Sequence, residues 1–121
     1  MLAPDAVLLP FWPVDSGQFR PYTGLRAAPL TLPEQQQLAD LLQRVQQENR
    51  LTCTPRYHHQ YISATDKHGH RLVWVNGFYQ AGGDYWKQQL REVKGGGACF
   101  YRVLLNLTTG QYSRFGINAP K

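Results

Sequence analysis

Cysteine is scarce in this chain. Cys53 and Cys99 are the two among 121 residues. They form no C-x-x-C, and no Cys/His spacing matches a zinc module. Two thiols fit one disulfide or two buried cysteines equally, so their number does not fix a redox compartment. Acidic residues are also few, 8 against 13 Lys and Arg. After Asp66 only Asp84 and Glu92 follow, so carboxylate pairs for acid–base work are scarce there. No apolar run approaches the roughly 18–20 residues of a transmembrane helix. The N-terminal MLAPDAVLLPFWPVD has no basic n-region, and Asp5 and prolines interrupt its apolar stretch. It does not read as a signal peptide. An intracellular protein and one whose leader was removed both remain open.

Charged residues make up 17% and hydrophobic ones 42%, which excludes the disordered class. The length fits one domain, 1–121, with a core of its own. A net charge of +5 suggests phosphate backbones or anionic surfaces as partners. The basic residues are dispersed, however, and no two are adjacent. That spacing reads as an ordinary solvated surface.

Residues 1–30 hold five of the 8 prolines together with Phe11, Trp12, Phe19 and Tyr22. Proline fixes φ and removes a backbone donor. This stretch reads as an extended arm with at most one short strand, packed on the body by its aromatics. Residues 31–50 carry the clearest element, a helix from about Pro33 to Asn49. Thr31 and Glu34 have capping-box spacing, and Pro33 lies in the first turn. Leu38, Leu41, Leu42 and Val45 form one apolar stripe, with the glutamines largely off it.

Residues 53–121 read as sheet. The run 56–65 is rich in β-formers, Asp66–Gly69 is a turn, and 70–79 resumes the β pattern. A second hairpin joins 98–107 to 111–117 through Thr108-Thr109-Gly110. Residues 85–93 are ambiguous between a helical turn and a crossover. The expected fold class is α+β, one long helix on a four-stranded antiparallel sheet of two hairpins. Up-down strand order sets Cys53 and Cys99 about 10 Å apart at ~4.8 Å per strand, too far for a disulfide.

Few residues point to chemistry. His58 and His59 are adjacent on a strand and face opposite ways. With a four-residue turn, His59 lies opposite Asn76, far from His68 and His70, which disfavours a metal site. Cys99 follows Gly95-Gly96-Gly97, but no strand-turn-helix elbow activates it. The triplet also lacks the GK[ST] of a phosphate loop. Asn106-Leu107-Thr108 matches a glycosylation sequon by chance. Tyr57, Tyr61, Trp74, Phe78 and Tyr101 alternate along the strands, as on an RNA-stacking sheet, yet the RRM signature is absent. Packing under the helix explains them better. His59, Asn76 and Tyr101 are the candidate binding residues, where imidazole, amide and phenol could converge.

The segment Trp74-Val75-Asn76-Gly77-Phe78, then Trp86, then GGGACFYRVLLNLTTGQYSRFGINAPK from Gly95 resembles a family of small uncharacterised bacterial proteins, many of them exported or lipoprotein-like. Its pattern is W-[VI]-N-x-F, W, G-G-x-x-[CY]-F, N-L-x-T-x-x-Y and a closing N-G-x-A, matched over about residues 70–121. The resemblance implies a compact α+β domain of cystatin-like kind and an extracytoplasmic setting. It brings no established activity or catalytic residue. This chain has Gly77 and Tyr79 near the place where members often carry cysteines, and ends Asn118-Ala119-Pro120-Lys121.

The expected function is a binding or interaction module without catalytic activity, needing no cofactor or metal, with a protein or small ligand as partner. Gln60-Tyr61-Ile62-Ser63-Ala64 does not match the Q-x-V-x-G loop of a cystatin inhibitor. The alternatives are a small enzyme or ligand pocket on a cone-shaped α+β fold and, third, a nucleic-acid binder.

Overall fold

The computed structural model describes residues 6–11, 17–51, 57–78 and 100–117. Cys53, Cys99, the 85–93 segment and the glycine triplet lie outside them, as does the disulfide question.

The helix forms as expected. Helix α1 spans Leu32–Glu48, capped by Thr31. The Glu34 amide donates to Thr31 Oγ1 at 3.3 Å, and the Thr31 amide donates to Glu34 Oε1 at 2.9 Å. Leu38, Leu41, Leu42 and Val45 are the buried stripe. Glu34 also pairs with Arg71 of the sheet, at 2.6 and 2.8 Å. One carboxylate thus closes the helix N-terminus and pins it to a strand. The Arg71 guanidinium holds the Glu34 carboxyl at about 2, against the partial burial that would raise it.

The sheet is mixed and has six strands, not four antiparallel ones. The strands are β1 Ala6–Leu9, β2 Arg26–Ala27, β3 His58–Thr65, β4 Arg71–Phe78, β5 Phe100–Asn106 and β6 Gln111–Ile117. The order is β1-β3-β4-β5-β6, with β2 also on β3. The antiparallel run from β3 to β6 is the one expected from the two hairpin patterns. The arm adds two strands where at most one was expected. β1 runs parallel to β3 at His59–Ile62, and β2 pairs antiparallel with Ala64 and Thr65. Together they satisfy the outer edge of a strand that would otherwise present unpaired backbone groups. Pro10 follows β1 directly and cannot donate to a ladder.

Both sheet faces carry a core. Under α1 lie Tyr57, Tyr61, Val73, Val75, Tyr101, Val103 and Leu105. On the opposite face Ile62, Ala64, Leu72, Trp74 and Leu104 pack with Leu9 and Phe19. Phe19 is fully buried, so the arm is a covering layer. The aromatics therefore split. Tyr57, Tyr61 and Tyr101 face the helix, while Trp74 packs on the arm side. Phe78, four residues along β4 from Trp74, shares its face.

The first hairpin differs from expectation by one residue. Thr65 pairs with Arg71, so the turn is Asp66–His70 and not Asp66–Gly69. The cause is the Asp66 side chain. Its Oδ1 accepts from the His68 amide at 3.0 Å and the His70 amide at 2.8 Å, and Oδ2 meets His70 Nδ1 at 3.0 Å. Those bonds, with the Asp66 amide donating to the His70 carbonyl at 3.2 Å, fix His70 as the last residue of the turn, ahead of the Thr65–Arg71 pair. A one-residue slip sends every later side chain to the other face.

Candidate functional site

The register decides which candidate residues meet. His59 pairs with Gly77, not Asn76, and Gly77 pairs with Tyr101. His59 and Tyr101 thus stand on β3 and β5 with a glycine between them. Tyr101 lays its ring across that gap, and its hydroxyl reaches His59 Nε2 at 2.7 Å. A Cβ at residue 77 would lie 2.2 Å from Tyr101 Cε1, so only glycine permits the span.

From the helix side, Gln46 Nε2 donates to the same hydroxyl at 3.2 Å. Burial drives Tyr101 well above the usual phenol range, so it keeps its proton. Gln46 and the His59 ring thus meet at one protonated phenol oxygen, Gln46 as donor and His59 through Nε2. Aromatic groups enclose the pair. Tyr57 meets Tyr101 edge-on at 4.9 Å, His59 stacks on Tyr61 at 5.8 Å, and Phe115 lies 6.1 Å from Tyr101. The His–Tyr pair has the chemistry to relay a proton, and its geometry also ties β3 to β5 across Gly77 and both to the helix through Gln46.

Asn76, the third candidate, lies on the other face. Its Nδ2 donates to Gln60 Oε1 at 2.9 Å, and Gln60 is fully buried. Arg102 follows in the same cross-strand row, then Gly116 on β6. The guanidinium lies by Gly116, 3.4 Å from where a Cβ would stand. His58 stacks on Phe78 at the next row, with centroids 5.7 Å apart. This Gln60–Asn76–Arg102 row was missed in the sequence because the four-residue turn assigned Asn76 to the wrong face.

The turn end holds a further network. Burial would raise the Asp66 carboxyl, but the bonds from His70 and His68 outweigh it and hold the group below its ordinary value. The Tyr22 ring meets His70 edge-on at 5.6 Å. Asn106 Nδ2 donates to the Tyr22 hydroxyl at 3.1 Å, and Asn106 Oδ1 accepts from the Thr109 amide at 3.1 Å. The sequon asparagine is therefore a buried latch between arm and sheet. Among the described residues, no group of three or more His, Cys, Asp or Glu side chains is placed to hold a metal. No described helix is long and apolar enough to cross a membrane.

No protein-family model, curated protein or solved structure matches the chain.

Proposed function

We propose that the chain is a small binding module without catalytic activity. The observation that carries this reading is where the polar side chains go. His59 and Gln46 both bond to the Tyr101 hydroxyl, Gln60 bonds to Asn76, and Asp66 is occupied by His68 and His70. Side chains committed to internal bonds that fix strand and helix positions serve the fold first. With a helix on one face and the arm on the other, a partner is met at the rim of the sheet. The sequence resemblance to small exported bacterial proteins agrees with a setting outside the cytoplasm.

A small enzyme or ligand pocket is the second reading, and the 2.7 Å contact between His59 and Tyr101 favours it. A screen of ester, phosphate-ester, glycoside and peptide substrates separates the two, run on wild type beside His59→Ala. The binding-module reading expects no turnover by either protein. Turnover by wild type that vanishes in His59→Ala, with thermal stability retained, would establish the enzyme.

A further inference from the structure

We propose that the arm and the β3–β4 turn together form an anion-binding notch for a small ligand bearing a phosphate or sulfate group. The inference rests on the binding-module reading and names its ligand class. The notch has a volume of about 340 Å³ and is lined by Gly17, Arg20, Tyr22, Thr23, Gly24 and Leu25. That is near the lower end of small-molecule sites, room for a sugar-sized body.

Its walls are held from three directions. The Tyr22 amide donates to the Phe19 carbonyl at 2.9 Å, and the Phe19 ring is fully buried. The Lys67 amide donates to the Thr23 carbonyl at 3.0 Å. Gly24, at φ +65°, lies so close to the turn that a Cβ there would stand 2.8 Å from Lys67 Cβ. The Tyr22 hydroxyl is held by Asn106 and its ring by His70. A site with fixed walls loses little freedom when a ligand enters.

Among the described residues, the exposed charge around the notch is positive. Arg20 lines it, Lys67 leaves from the turn against Gly24, and Arg26 pairs with Thr65 beside that turn. The ion pairs of the described residues are Arg44–Glu48, His70–Asp66 and Arg71–Glu34, so none of these three cations is paired. Asp66, the acidic residue of this turn, is buried and already accepts three hydrogen bonds. A guanidinium fork and an ammonium suit a multiply charged oxyanion, the Thr23 hydroxyl adds a donor, and Tyr22 and Leu25 offer apolar surface to a carbon skeleton. A second open groove among the described residues, by Gln37, Asp40, Arg44 and Gly110, is a poor rival. Arg44 is taken there by Glu48 and the Gly110 carbonyl, and Asp40 repels anions.

The test is a titration of the ¹⁵N-labelled full chain with glucose 6-phosphate, glucose 6-sulfate and glucose. Both charged sugars should shift the amides of Arg20, Thr23, Gly24 and Lys67, and glucose should not. A preference between the two distinguishes phosphate from sulfate as the source. Arg20→Ala and Lys67→Ala should each weaken binding about five-fold or more, at unchanged melting temperature. The alanine at 67 keeps the Cβ that packs on Gly24. Arg114→Ala, on β6, should change nothing. Absence of shifts at these amides, equal binding of glucose, or unchanged affinity in both variants would overturn the notch. None of those results bears on turnover, so the broader reading stands or falls by the substrate screen.

Discussion

Gly77→Ala puts the central packing of this fold to a sign test. In an open strand the change should stabilise by about 0.5–1 kcal/mol, because glycine loses the most backbone entropy on folding. At residue 77 the new Cβ would fall 2.2 Å from Tyr101 Cε1, 2.7 Å from Cδ1 and 2.8 Å from Cζ. The Tyr101 ring cannot swing away freely, with Tyr57 edge-on at 4.9 Å and Phe115 at 6.1 Å. Relief requires a backbone shift or loss of the bonds to His59 and Gln46. Overpacking of this kind costs about 1–3 kcal/mol, and a lost buried hydrogen bond adds about 1. Set against the ~0.5–1 kcal/mol gained in backbone entropy, the expected net loss is about 1–3.5 kcal/mol, read as a lower urea midpoint at unchanged m-value. Gly116→Ala is the internal control. Its Cβ would meet the far end of the flexible Arg102 side chain at 3.4 Å, so the change should stay within about 0.5 kcal/mol. A Gly77→Ala protein as stable as wild type, or more so, would refute the strand register and the Tyr101 span.

Leu38→Ala should cost about 2–5 kcal/mol by chemical denaturation, since Leu38 is fully buried on the inner face of the helix; a loss under about 0.5 would place the stripe in solvent. Glu34 has its pKa lowered from 4.5 to about 2, so its stabilisation is full above about pH 4.5 and is lost as pH falls toward 2. Partial contact with solvent reduces that contribution to about 1–2 kcal/mol. Glu34→Gln should flatten the acid limb of the stability–pH curve, and an unchanged limb would dismiss the Arg71 pairing. Asn106→Ala should cost about 1–3 kcal/mol and speed proteolysis of the arm, because it frees the Tyr22 hydroxyl and the Thr109 amide; an arm equally resistant to protease would show that the latch is idle.

The helix was legible because its signals are local. Thr31, Pro33 and Glu34 mark its start, and four apolar residues at helical spacing mark its buried side. The β3–β6 ladder was legible in outline from alternation and turn residues. The parallel strand β1 was not, since its partner lies some fifty residues away and nothing in Ala6–Leu9 names it. The site failed on a single residue. Alternation alone suits a four-residue turn as well as a five-residue one, and only the three bonds to Asp66 choose. With His70 in the turn, Asn76 leaves His59 and joins Gln60. Gly77 carried a readable signal, an isolated glycine inside a strand, which marks a bulge or a close approach. Here the close approach is by the ring of Tyr101.

The commitment of His59 and Tyr101 to the fold is tested most directly by a double-mutant cycle on stability, with His59→Ala, Tyr101→Phe and the double variant. Tyr101→Phe keeps the ring that fills the gap over Gly77 and removes only the hydroxyl that meets His59 at 2.7 Å and Gln46 at 3.2 Å. A structural clamp predicts a coupling of about 0.5–1.5 kcal/mol, with both single variants destabilised. Additive effects, or single variants as stable as wild type, would contradict it and return the pair to the list of residues kept for chemistry.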